Sequence, residues 1–197
     1  MKHNILLATW NDSAKAYESF SQLKKADIGN INQAMIVERT VDGSFKIQDG
    51  SDNTTGENTL DGGLIGSLIG ILGGPLGLLL GFSTGALIGS LADLDQGTDD
   101  QAVLSKISQA LPIGSTGLIL NIQEDNEQLA NDYFAQSGAT LLRWDYDEVE
   151  AEIEASVESW EQANRQANAA LKEQKKAENK ANRQEKWNDF KAKFHKK

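Results

Sequence analysis

Residues 62–92 read GGLIGSLIGILGGPLGLLLGFSTGALIGSLA: 31 consecutive positions without a charge, with glycine at every fourth place as Gly62, Gly66, Gly70, Gly74 and again as Gly77, Gly81, Gly85, Gly89. Residues four apart stack on one helix face, and glycine there lets two backbones approach closely, as in the small-xxx-small contacts of membrane helices. Each interior glycine costs a helix about 1 kcal/mol relative to alanine, so six or more cost roughly 6 kcal/mol before any packing. The run also carries 14 Leu, Ile and Phe side chains, which at about 2 kcal/mol each would lose roughly 28 kcal/mol if left in water. Lipid, the protein's own body or a neighbouring copy must therefore cover it.

Gly73, Gly74 and Pro75 break the run and predict a bend between arms of about 11 and 17 residues, roughly 16 and 26 Å at helical rise. Neither arm reaches the roughly 30 Å of a bilayer core. A single kinked span would strand the flanking segments on opposite sides of a membrane, where they could not share a sheet, so the expectation is a helical hairpin over residues 62–92. The mouths of the hairpin are acidic: no Lys or Arg lies between Lys46 and Lys106, whereas Asp49, Asp52, Glu57, Asp61, Asp93, Asp95, Asp99 and Asp100 crowd both sides. Anionic headgroups would repel such flanks.

Outward from this segment, residues 4–10 read as a buried strand and residues 13–26 as a helix with Ser13 as N-cap and Ala16, Tyr17, Phe20 and Leu23 on one face. Residues 34–40 and 44–48 read as a hairpin turning at Val41-Asp42-Gly43, followed by a polar loop over 49–61. Beyond the glycine segment, Asp99 and Asp100 open a helix with Val103, Leu104, Ile107 and Leu111 inward, ended by Pro112. Residues 117–122 form a strand. Residues 126–137 form a helix with Leu129, Ala130, Tyr133 and Phe134 inward, stopped by Gly138, and residues 140–146 form the last strand. Residues 4–39 and 118–146 thus share a strand, helix, strand order. Two split β-α-β units predict an α+β, ferredoxin-like sheet covered by helices on one face, over residues 1–147.

The element order, the Val41-Asp42-Gly43 hairpin, the glycine run containing Gly73-Gly74-Pro75-Leu76-Gly77, its Asp-rich exit and the Leu111-Pro112-x-Gly114-Ser115-x-Gly117-Leu118 turn resemble a bacterial family described as predicted membrane proteins, domain of unknown function 1269. The resemblance covers about residues 4–157. It implies the fold and a membrane label and no catalytic residues; a stress role comes only by association with it.

Residues 148–197 lack proline and glycine and predict one long charged helix, about 75 Å if unbroken. They hold ten acids and eleven bases, which leaves residues 1–147 with nineteen acids and eight bases out of a net charge of -10. Acids come first in the helix and bases last, the order that suits its dipole. Val149, Ile153, Val157 and Trp160 form an apolar stripe, continued thinly by Ala163, Ala167 and Leu171. Near the end, Trp187, Phe190 and Phe194 recur beside lysines, a pattern for docking on a membrane surface or on another copy.

The acidic body argues against nucleic-acid binding. With no cysteine, disulfides and thiolate metal sites are excluded. His3 and His195 stand apart, each read as solvated, and no spacing of His, Asp or Glu makes a metal site. Asp93 to Asp100 lacks the glycine position and terminal glutamate of a calcium loop. No phosphate loop or acid/base pair is present, so neither cofactor nor small-molecule substrate is expected. The N-terminus lacks the pattern of a signal peptide. The expected protein is non-enzymatic: a membrane-associated or envelope-stress homo-oligomer with a cytoplasmic body, whose glycine-zipper hairpin inserts in lipid or oligomerises. The alternatives are a soluble assembly with the hairpins buried between copies, and a ligand-binding regulatory domain.

Overall fold

The computed structural model describes residues 1–52, 63–74 and 102–194. In order these form β1 (Lys2–Thr9), α1 (Ala14–Leu23), β2 (Asn30–Arg39), β3 (Phe45–Asp52), α2 (Gly63–Gly73), α3 (Val103–Ala110), β4 (Thr116–Glu124), α4 (Glu127–Gln136), β5 (Thr140–Asp145) and α5 (Tyr146–Phe194). Gly62, Pro75, Gly77, Gly81, Gly85, Gly89, the acidic residues from Asp93 to Asp100 and His195 lie outside the described residues.

The fold is α+β. Five strands make one sheet in the order β3-β2-β4-β1-β5, with every neighbouring pair antiparallel. Each strand-helix-strand unit skips a place: β4 lies between β1 and β2, and β1 lies between β4 and β5. Compact packing extends over Met1–Ser156, and the rest of α5, from Val157, is a unit of its own.

The sequence reading put helices on one face of this sheet; both faces are covered. Ile5, Leu6, Leu7 and Ala8 are all buried, as are Ala34 to Val37 and Leu118 to Leu120, so the central strands are continuous apolar runs without alternation, the signature of a sheet wet on neither side. Leu6, Ala8, Ala34, Ile36, Leu118, Leu120 and Ile122 pack against Ala16 and Leu23 of α1 and Ala130 and Phe134 of α4. The other face meets α2 and α3. Gly117 of β4 marks a close approach there, since a Cβ would lie 3.0 Å from side-chain carbons of both Leu111 and Leu7.

Several local expectations shift by a few residues. Asp12, not Ser13, caps α1, its Oδ1 accepting from Ala14 N at 3.0 Å, while Ser13 makes no side-chain cap. The buried stripe of α1 is Ala16, Ser19 and Leu23, which turns Tyr17 out to 45% exposure; small residues let the helix lie close to the sheet. Leu129 of α4 is likewise 45% exposed because Ala130 and Phe134 take the inner positions. The polar segment expected after Gln48 extends β3 to Asp52 through pairing with β2. Tyr146 belongs to α5, which Asp145 caps by accepting from Asp147 N at 2.9 Å.

Helix α3 is eight residues long and held by charge at both ends. Glu152 of α5 accepts from Val103 N at 2.6 Å and Leu104 N at 2.9 Å. Arg39 of β2 donates through Nη1 to the carbonyls of Ser108 at 2.6 Å and Leu111 at 3.0 Å. An anion at the first turn and a cation at the last oppose the helix dipole and satisfy backbone groups that α3 leaves open. Burial lowers the Arg39 pKa, a cost offset by the two carbonyls and by the Phe45 ring 5.1 Å from the guanidinium carbon. Glu152→Ala should cost about 1–2 kcal/mol and Arg39→Met about 3 kcal/mol in urea unfolding. Changes under about 0.5 kcal/mol for both would show that α3 does not depend on these charges.

Candidate functional site

The glycine face singled out by the sequence lies partly on α2. On α2, Ile65, Leu68, Ile69, Ile71 and Leu72 are buried, while Gly66 and Gly70 lie on the opposite side of the helix, where an added Cβ would meet no described atom within 4 Å. Helical periodicity produces this split: residues 65, 68, 69 and 72 share the face that takes the sheet, and the every-fourth glycines fall away from it. Gly63 and Gly73 have different work. Gly63 sits at φ +67°, with an added Cβ 1.7 Å from Gln33 Nε2, and fully buried Gln33 accepts from Ile65 N at 3.3 Å, capping α2. Gly73, expected at a bend, ends α2 against β3, where a Cβ would lie 2.6 Å from the Phe45 carbonyl oxygen. Gly74 follows it as the last described residue of this segment.

Two polar clusters lie at the sheet. At its α1/α4 face, the fully buried Glu124 side chain accepts from Arg143 Nε and Nη2 at 2.9 Å each and from Asn4 Nδ2 at 2.7 Å, with Arg143 also donating to Asn131 Oδ1 at 3.1 Å. A bidentate Arg–carboxylate pair in which both oxygens accept from the arginine, with one also accepting from Asn4, is an arrangement in which a buried charge is tolerable. On the opposite face the ring of His3, expected to be solvated, stacks on Tyr146 with centroids 3.6 Å apart. Its Nε2 lies 2.6 Å from Asn121 Oδ1. Tyr146 in turn donates to Glu150 at 2.8 Å. Burial, then the Glu150 hydrogen bond, pushes the Tyr146 pKa up to about 12.

These clusters are closed structural networks. Sequence reasoning passed over them, yet one signal was present: Glu124 stands in phase with Leu118, Leu120 and Ile122, and Asn121 in phase with Ile119, so each polar residue occupies an inward position of its strand. Among the described residues no group of His, Asp and Glu is arranged to hold a metal ion. No described helix is long and apolar enough to cross a membrane. Trp187 is 54% exposed on α5; Phe190 and Phe194 lie in the same helix, with their side chains outside the described residues.

The family model described as "Protein of unknown function (DUF1269)" matches residues 59–158. The chain belongs to this family. The match takes in the glycine run, α3, β4, α4, β5 and the start of α5, with β1 to β3 outside it. No curated protein and no solved structure matches the chain.

Two measurements test the clusters. Glu124→Leu and Arg143→Met should each destabilise by about 3 kcal/mol, with the double variant recovering a good part of the loss; single losses below about 1 kcal/mol would mean the pair is weakly held. For Tyr146 the raised pKa means the neutral phenol is favoured by the fold, so its contribution is whole below about pH 10 and is lost as pH rises toward 12. The stability difference between wild type and Tyr146→Phe should therefore shrink between pH 9.5 and pH 11.5 (values set by the ordinary tyrosine range, ~10). A constant difference would contradict the shift.

Proposed function

We propose that this chain is a non-enzymatic, self-associating protein whose contact surface is the glycine face of α2 together with the apolar segment that follows it. The observation that carries this reading is the orientation of α2: its large apolar side chains are spent on the sheet, while Gly66 and Gly70 turn the other way. A second helix can approach that side to within backbone contact, whether from the second arm of the glycine run or from another copy. The glycine-zipper reading is supported by the four-residue spacing and by this separation of faces.

The body is read as ferredoxin-like. Support comes from the two β-α-β units, each skipping one strand, around central β1 and β4, with β3 added at an edge and a long C-terminal helix appended. Membrane association remains the second reading, favoured by the 31 uncharged residues from Gly62 to Ala92; in it the hairpin enters lipid and the sheet stays at the surface. A role in envelope stress would then be the setting of this behaviour, through family resemblance alone.

Gly66→Val and Gly70→Val separate the face from the fold, since neither side chain meets a described neighbour. Each should weaken self-association or carbonate-resistant membrane partition roughly tenfold, the equivalent of about 1.4 kcal/mol, while the sheet keeps its circular dichroism. Gly81→Val and Gly85→Val should act in the same direction. Wild-type oligomer size and membrane partition in all four variants would refute the reading.

A further inference from the structure

Helix α5 carries a feature independent of the glycine face. From residue 157 to residue 184 no side chain is buried, and Trp160 and Leu171 are 39% and 52% exposed. Glu158 accepts from Gln162 and Glu161 pairs with Arg165, both within the helix. Such i,i+4 contacts contribute only a few tenths of a kcal/mol each, whereas helices in proteins draw most of their stability from packing one face against a partner.

A face suited to a partner is present. Trp160, Ala163, Ala167, Ala170, Gln174, Ala177, Ala181 and Gln184 recur at alternating steps of three and four, the spacing of a coiled-coil seam, and the alanines allow a short interhelical distance. The charge is segregated along the same stretch. Glu154, Glu158 and Glu161 have no base among them, whereas Lys172, Lys175, Lys176, Lys180, Arg183 and Lys186 outnumber Glu173, Glu178 and Glu185. A parallel pair would align acid with acid and base with base. An antiparallel pair sets the acidic part of each helix beside the basic part of the other, within the roughly 8–10 Å over which charges act at physiological salt.

We propose that residues 157–187 of α5 form an antiparallel pair with the same segment of a second copy, centred near Ala170 and Gln174, so that Ala163 of one chain faces Ala181 of the other. The chain has no cysteine of its own, which makes cross-linking decisive. Full-length Ala163→Cys and Ala181→Cys chains, mixed and mildly oxidised, should give the mixed disulfide at least tenfold above either homodimer. In addition, Glu158→Lys with Glu161→Lys should weaken association about tenfold at low salt, and adding Arg183→Glu with Lys186→Glu should restore it. Self-cross-linking of each single variant would overturn the proposal in favour of a parallel pair. A chain that forms no cross-link and sediments as a monomer, or that instead binds phosphatidylserine vesicles through its lysines, would also overturn it. Run in the Gly70→Val background, the mixed disulfide should persist; its loss there would show that the glycine face alone gathers the copies and that the helix pair has no standing of its own.

Discussion

Everything in the body depends on covering a sheet that is apolar on both sides. The two central strands, β1 and β4, each present Leu and Ile to opposite faces with almost no exposure, so a single helical layer would leave about half of that surface in water. The two β-α-β units can supply α1 and α4 to one face only, because crossovers of the same hand lie on the same side of a sheet. The other face must be covered from elsewhere in the chain. It is covered by the segment inserted between β3 and β4, of which α2 and α3 are the described ends.

That requirement explains why the insertion is anchored so firmly at its borders. Gln33, buried in β2, caps the start of α2, Phe45 closes on its end at Gly73, and Glu152 and Arg39 hold α3 at its two termini. The anchors come from β2, β3 and α5, three separate parts of the sequence. A segment whose own residues favour close helix packing is thereby fixed to the sheet through polar contacts at its borders, which leaves the outer glycine face of α2 clear of described neighbours.

Much of this was legible from residue pattern. The apolar runs in β1 and β4, Gly43 at the hairpin and Gly138 after α4 gave the strand and helix order, because burial and positive-φ turns leave local marks. The double-sided covering was also written in the strands: Ile5-Leu6-Leu7-Ala8 has no alternation, a pattern of burial on both faces that the split β-α-β comparison obscured. Asp12 in place of Ser13, and Tyr17 facing outward, depend on the exact rotation of α1, which periodicity fixes only to within a residue. The site was less legible. The every-fourth glycines pointed to a packing face, and α2 turns Gly66 and Gly70 away from its buried side, but the capping of α3 by Glu152 of α5 and the stacking of His3 on Tyr146 join residues far apart in sequence and leave no local trace.

The strand order has a consequence for how the chain is made. β1 is synthesised well before the strands that complete it, since its partners are distant: Lys2 pairs with Glu124 and Asn4 with Asp145. Until those strands exist, Ile5 to Ala8 form a short apolar edge with no hydrogen-bonding neighbour, and the glycine run emerges before either of them. Long-range pairing of this kind slows folding and prolongs the exposure of aggregation-prone surface. The nascent chain therefore carries both hydrophobic segments, Ile5 to Ala8 and the glycine run, before β4 and β5 are made and the sheet can be completed.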